Sequence, residues 1–588
     1  MKKLVVFFVA ILCCGMIFGG CNQQEKTTES AADTVFENGY VFTADEEGAV
    51  AECVAIKDGE IIFVGTNADG EAYKGENTEV VDMTGQMLIP GMMDSHIHVP
   101  STLTQEMYQI NLSGVTGVEE TMEIIEEFIA SHPDLDVYYG EGYNTTAFTT
   151  GDELTKGPSK ERLDAIESDK PIIIRSYDCH SKWVNSAALE MFNITADTEL
   201  ASDGTITIDE ETGEPWGTLN EGAMDLVPEM ELTNEETMAA MYAFVERMNS
   251  LGYTSICAVS TWDGNYWDEF AQMEEDGDLT LKVKSTYTID PAKDLTEQFD
   301  DLEATKAKYD SDMLELTTAK FFADGTLDAL TAYMKEPYDI DPSTQGDLLW
   351  DPDELAEAFT MANERGLQIH MHCIGDAAVS AGLDALEYAA ENAPEGDYRN
   401  TLTHLIYMDE ADISRFKDLD VIASFQPYWI VKFPGYWDVV EEPFIGERAE
   451  HSYLLKSCLD AGVLIASSSD SPVTPWPDPL IAIEAGVTRN ITDGYVGSGY
   501  EISNMDDSPE YILGKEERVS VEDMIKSFTI NNAYMLFCDD VTGSIEVGKC
   551  ADLVVLDQNI IEMNPVDIET AKVVRTYLDG QIVYDANE

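Results

Sequence analysis

Between residues 93 and 467 the chain alternates short apolar, strand-like runs with longer stretches of helical character. Ten runs read as strands, at 93–99, 137–142, 172–177, 254–259, 283–289, 317–323, 367–373, 401–406, 422–426 and 463–467. A parallel neighbour can be reached only by a crossover long enough to hold a helix, so this alternation predicts βα units around a parallel sheet. The expected class is α/β, with residues 89–540 forming a (β/α)8 TIM-type barrel. Ten candidates exceed eight, so one or two belong to insertions. Residues 195–225, with turns at Asp203-Gly204 and Thr212-Gly213, read as an inserted β-hairpin over the barrel mouth.

The two ends of the chain look alike. Short β-type runs at 54–57 and 61–64 flank the turn Lys57-Asp58-Gly59-Glu60, and runs at 551–557 and 573–577 precede the turn Asp579-Gly580. Residues 35–88 and 541–588 are therefore expected to build one small β-sandwich domain from both termini.

The first twenty residues differ in kind. Lys2 and Lys3 precede an apolar run over 4–18 that ends in Gly19-Gly20-Cys21, the layout of a secretory signal. It resembles a bacterial lipoprotein signal, in which Cys21 becomes the lipidated N-terminus, although Phe18 replaces the usual Leu; the alternative is an ordinary signal with an incidental Cys21. Residues 21–34 read as a flexible tether. The expectation is an exported protein, held at the outer side of the cell membrane through Cys21. The formal charge of −81 is spread along the chain, and such an acidic excess repels nucleic acid and anionic lipid. Of ten cysteines, seven lie beyond Cys21, without CxxC spacing, and read mainly as small buried hydrophobes.

Eight histidines make their placement informative. His96 and His98 are two apart in a strand entered from Pro90-Gly91, so both side chains face one way and can grip one cation. Lys320, His372, His404 and Asp470 fall at the C-terminal ends of other expected strands, where barrel enzymes build their sites. His370 faces the same way as His372 from deeper in its strand and reads as a supporting residue. Trp183, Trp216, Tyr428, Trp429 and Trp476 sit on expected loops or the insertion, either lining an apolar pocket or contributing to the core. Arg489 reads as structural or as a site residue.

The phrase Pro90-Gly91-Met92-Met93-Asp94-Ser95-His96-Ile97-His98 resembles the opening of the amidohydrolase superfamily, and residues 543–554 resemble its closing sheet segment. Lys320 with Ala323-Asp324-Gly325, His372 with Ile374-Gly375-Asp376, and Asp470 with Ser471-Pro472-Val473 narrow the likeness to the branch of N-substituted formamide deformylases. The resemblance implies that His96, His98 and Asp470 bind one metal, that His372 and His404 bind a second, and that a carbamylated Lys320 bridges them. One or two divalent ions are expected, zinc foremost, with Mn²⁺, Fe²⁺ and Co²⁺ admitted by the same donors. The implied reaction is hydrolysis of the carbon–nitrogen bond of a small amide or N-substituted formamide by a metal-bound hydroxide, with Asp470 moving the proton. His180, in a segment resembling a substrate-facing stretch of the branch, reads evenly as an oxyanion or substrate contact and as a structural residue. The alternatives are deamination, hydrolysis of a cyclic amide or dipeptide, or a solute-binding lipoprotein. A homodimer is compatible with the sequence.

Overall fold

A computed structural model describes residues 31–45, 48–112, 115, 117–176, 180–200, 204–260, 265–434, 436–492 and 502–587. The leader, Cys21 and the first part of the tether lie outside these residues, as do Asp178, Cys179 and Asp203.

The centre is an eight-stranded parallel sheet of β1 Met92–Ile97, β2 Tyr253–Ala258, β3 Lys282–Thr288, β4 Leu314–Phe322, β5 Gln368–Cys373, β6 Thr401–His404, β7 Ile422–Phe425 and β8 Ile465–Ser467, paired in chain order. The two end strands meet: Ser95 Oγ donates to the Ser467 carbonyl at 3.0 Å, and the Asp470 N–H to the His96 carbonyl at 2.8 Å. The sheet thus curls into a nearly closed barrel. Most of its strands are wholly or almost wholly buried, as expected where helices cover one face and packed side chains the other. The surrounding helices start at strong caps. Thr233 and Glu236 form a capping box before Asn234–Ser250, and Asp351 accepts from two backbone N–H groups before Pro352–Glu364.

Eight of the ten expected strands are these barrel strands. The other two, at 137–142 and 172–177, belong to a separate six-stranded sheet that leaves the barrel after β1 and returns before β2. There Tyr138–Tyr143 and Ile172–Ser176 pair in parallel, and Ser181–Val184 carries the chain antiparallel to a hairpin of Gly204–Ile208 and Pro215–Glu221. Apolar runs that are buried on both faces read alike in any parallel sheet, so periodicity could not separate this sheet from the barrel.

The ends of the chain build two further sheets. One is four-stranded; in the other, Leu553–Leu556 pairs antiparallel with Met87–Pro90, the strand immediately ahead of β1. Phe36, Val54, Ile56, Leu88, Leu553, Val555 and Tyr577 fill the space between them, with Phe36 edge-on to Tyr577 at 5.2 Å. This shared core ties the C-terminal segment to the strand that delivers His96. Among the described residues no helix is long and apolar enough to cross a membrane.

Candidate active site

Register sets the floor of the site. Lys320 on β4 lies beside His370 on β5, Phe322 beside His372, and Cys373 beside His404 on β6. His372 and His404 therefore emerge at the C-terminal rim, with ring centres 4.5 Å apart, while Lys320 and His370 sit one level deeper. Across the barrel His96 from β1 approaches both His404 and His98, at 5.1 and 5.4 Å between rings.

These side chains converge on Asp470, just past β8. His96 Nε2 and His98 Nε2 lie 3.1 and 3.2 Å from Asp470 Oδ1, yet that buried oxygen receives no hydrogen bond. His96, His404 and Asp470 bring donor atoms within 4.8 Å of one another. Three imidazoles have their Nδ1 edges engaged elsewhere. His98 Nδ1 donates to the Val259 carbonyl at 3.2 Å, and His404 Nδ1 lies 2.9 Å from Gln426 Oε1. The Gln426 amide nitrogen donates to Ser468 Oγ at 2.8 Å, so its oxygen is turned toward His404 and the imidazole is the donor. His96 Nδ1 is 2.8 Å from His370 Nε2. With its proton on Nδ1, each neutral ring presents an Nε2 lone pair, the form of imidazole that binds a cation.

Burial reinforces this. It holds His96, His370 and His404 well below the usual imidazole range and lowers His372 to about 4, with Lys320 adding to the effect at His96, His370 and His372. Lys320 is itself fully buried, its Nζ meets no hydrogen-bond partner, and burial lowers it to about 8. An ammonium sealed away without an acceptor is strongly disfavoured, so a far larger share of Lys320 than of an ordinary lysine is neutral amine near neutrality. Asp470 moves the other way. Burial raises it, but His98, His404 and Lys320 outweigh that and keep it ionised. An anionic oxygen without a donor, neutral imidazoles and an orphaned amine on one cavity floor fit a divalent cation.

The backbone is held in place for this purpose. His404 and Asp470 adopt φ values of 75° and 55°, a left-handed conformation that costs a non-glycine residue about 1 kcal/mol or more and persists only where its surroundings enforce it. Asp324, raised to about 7 by burial, accepts the N–H groups of Ile374, Gly375 and Tyr333, which joins the loop after β4 to the loop after β5. The two sequence phrases containing Lys320 and His372 are thereby physically connected. Asp94, likewise raised to about 7, accepts from the His96 and Ser469 N–H groups and connects β1 to the loop bearing Asp470.

Above the floor opens a cavity of about 590 Å³, within the size range of small-molecule sites. His96, His98, Lys320, His372, His404 and Asp470 all line it, and Tyr428 and Trp429 form part of its wall, with the Trp429 ring stacked 5.8 Å from His404. The other expected site residues lie elsewhere. His180 is largely exposed and pairs with Glu221, so it is not aimed at the cavity. Trp183 is fully buried in the core of the inserted sheet against Tyr143 and Phe148, as suits the largest apolar side chain, and its indole N–H donates to the Ser159 carbonyl. Trp216 donates to the Gly157 carbonyl beneath Lys156, and Trp476 stacks with Arg247 outside the lining. Arg489 is buried and donates to the carbonyls of Leu513, Tyr453 and Ser452, a structural brace. Sequence reading missed Gln426, whose role depends on a cross-strand neighbour, and Glu441, which enters the cavity from an irregular segment.

The amidohydrolase family model matches residues 79–584, from the two strands ahead of β1 to the last strand of the chain. The chain belongs to the amidohydrolase family. It is 27% identical to the putative amidohydrolase YtcJ of Bacillus subtilis, over 94% of this chain and 99% of that one. It is 24% identical to the N-substituted formamide deformylase of Arthrobacter pascens, over 94% and 98% of the two chains. An uncharacterised metal-dependent hydrolase from Pyrococcus furiosus has the same fold, with a TM-score of 0.67, 24% identity and coverage of 91% of this chain and 99% of its own. As a member of this family the protein is a metal-dependent hydrolase of carbon–nitrogen bonds.

Proposed function

We propose that this amidohydrolase cleaves small amides of the N-substituted formamide type, releasing an amine and a carboxylic acid. The observation that carries this reading is the buried set of neutral imidazoles, orphaned lysine and ionised Asp470 at the floor of a largely apolar cavity. His96, His98 and Asp470 would hold one metal ion, and His372 and His404 a second. The neutral Lys320 amine can add to CO₂ to give a carbamate and a proton; the carbamate has the two oxygens needed to join the ions. Zinc suits the imidazole-rich donors. Bound there, a divalent cation polarises a carbonyl and makes water acidic enough to act as a nucleophile near neutral pH.

The remaining work falls to the chain itself. Asp470 accepts the proton released as water adds to the amide carbonyl and returns it to the nitrogen, because an amine leaves poorly without it. Tyr428, Trp429 and their apolar neighbours desolvate the substrate body and hold the carbonyl over the floor. The similarity to the Arthrobacter pascens deformylase supports a formamide; the imidazole and carboxylate donors would serve a deaminase equally, so the substrate panel decides. The test combines metal content per chain with hydrolysis of N-substituted formamides, longer acyl amides and cyclic amidines. About two equivalents, with formamide turnover lost on chelation, is the expected result; turnover of amidines alone would replace this reading with deamination.

The leader supports export, with Cys21 lipidated and the acidic body held outside the membrane. Palmitate incorporation that disappears in Cys21→Ser is the expected signature, and a soluble, unlabelled wild-type product would overturn it.

A further inference from the structure

Away from the metal-ligand candidates, the cavity wall carries one buried carboxylate. Glu441 is 4% exposed and ends a π-helical turn, Trp437–Glu441, closed by its own N–H on the Tyr436 carbonyl at 3.3 Å. Such turns are rare and are frequently found at functional sites. Here the turn places Glu441 on the cavity lining. Its carboxylate accepts from the Tyr407 hydroxyl at 3.3 Å, and among the described residues it has no ion pair. The cation closest to balancing it, Lys432, is paired with Glu450 and lies over the Trp437 ring.

A buried carboxylate normally has a positive partner or several donors, because its desolvation is otherwise uncompensated. Glu441 has neither, and its surroundings suit a cation brought from outside. Tyr407, Tyr428, Trp429, Tyr436 and Tyr453 line the same cavity, and aromatic faces attract ammonium groups. Among the described residues the lining contains no arginine and no lysine other than Lys320, whereas Asp328 adds another acidic side chain. An anionic substrate would meet no counter-charge on this wall.

We propose that Glu441 and the aromatic wall around it form a subsite for an ammonium group on the substrate, remote from the bond that is cleaved. The inference rests on the amide-hydrolase reading of the site and narrows it to amides and formamides of diamines. The leaving amine carries a second, protonated nitrogen, which Glu441 pairs while the carbonyl lies over the floor. Negatively charged acyl amino acids and dipeptides are excluded by the same wall.

The test uses the metal-loaded protein and two matched pairs of probes. For turnover these are the mono-formyl derivative of para-xylylenediamine and its uncharged counterpart, N-(para-methylbenzyl)formamide; for binding alone they are benzylammonium and benzyl alcohol. The cationic member of each pair is expected to be favoured by about tenfold or more, in kcat/KM and in Kd, as for a desolvated charge pair. Glu441→Gln should erase both preferences, its loss falling on the cationic member of each pair. Asp438→Asn, which removes an exposed charge from the same turn, should leave both intact. If neither formamide is cleaved but the benzylammonium preference exists and depends on Glu441, the hydrolytic reading fails and the subsite stands. Equal hydrolysis of both formamides, unaltered in Glu441→Gln, overturns the subsite and leaves the hydrolase. A preference lost equally in Asp438→Asn overturns it too, since the general acidity of the surface would then be the cause.

Discussion

His96 Nδ1 lies 2.8 Å from His370 Nε2, and this contact between two fully buried imidazoles decides which face of His96 is available. With a cation against His96 Nε2, the ring must carry its proton on Nδ1 and donate it to His370. His370 Nδ1 has no partner of its own, so the ring is retained at the expense of an unsatisfied polar atom. Its use is to orient His96. Replacing His370 by Phe should keep the barrel folded, since it removes a buried nitrogen that has no partner, yet weaken metal binding by about 10- to 100-fold, the usual effect of removing a group that orients a metal-bound histidine. Competition with a chelator of known affinity measures this directly. Unchanged affinity would make His370 a packing residue.

Asp470→Asn separates the two duties assigned to Asp470. The amide keeps the shape and one oxygen donor but cannot hold a proton, so turnover should fall by about 10²- to 10⁴-fold, the range for a positioned acid–base group. Metal content should remain close to wild type, because His96 and His98 are untouched. Single-turnover hydrolysis alongside elemental analysis checks both. Full activity in this variant would remove Asp470 from the proton path.

Lys320 gives a pH dependence whose sign follows from burial. Its folded-state value, about 8, is below the ordinary 10.5, so the unfolded chain binds the extra proton between these values. Stability of the metal-free, CO₂-free protein should therefore rise as pH goes from about 8 to about 10.5, by up to roughly 3 kcal/mol. Lys320→Met should flatten this rise and, when metal is supplied, bind at most one ion per chain. Denaturant titrations across that range, with and without bicarbonate, check the first effect and metal analysis the second.

Much of this was legible in the sequence because the residues concerned obey local rules. The His96–His98 spacing fixes a shared face of a strand whatever surrounds it, and the eight barrel strands announce themselves by apolar runs between helices. The runs that became Tyr138–Tyr143 and Ile172–Ser176 follow the same rule, and only their pairing partners separate them from the barrel. Tryptophans were the weakest guide. Trp183 and Trp429 are both apolar and both near expected loops, yet one fills a satellite core and the other stacks on His404; long-range packing alone distinguishes them. Glu441 gave no local signal, because a π-helical turn has no sequence signature comparable to a cap or a hairpin.

Glu441 supplies the last prediction, in which function and stability pull apart. Burial raises its carboxyl to about 7 from 4.5, with Lys432 opposing, and the groups coupled to it are the Tyr407 and Tyr436 hydroxyls. A raised acid binds its proton more tightly in the folded chain, so this group stabilises the fold at low pH relative to neutral. The contribution declines as pH rises from about 4.5 to about 7 and stays lost above it, a change of up to roughly 3 kcal/mol. Glu441→Gln keeps the acceptor for Tyr407 and removes the ionisation. It should match wild type near pH 4.5 and exceed it in stability at pH 8, measured by denaturant unfolding of the metal-free protein. A residue kept only for packing would instead lose stability when replaced. Greater stability in a variant that no longer prefers ammonium ligands is the pattern of a side chain retained for binding.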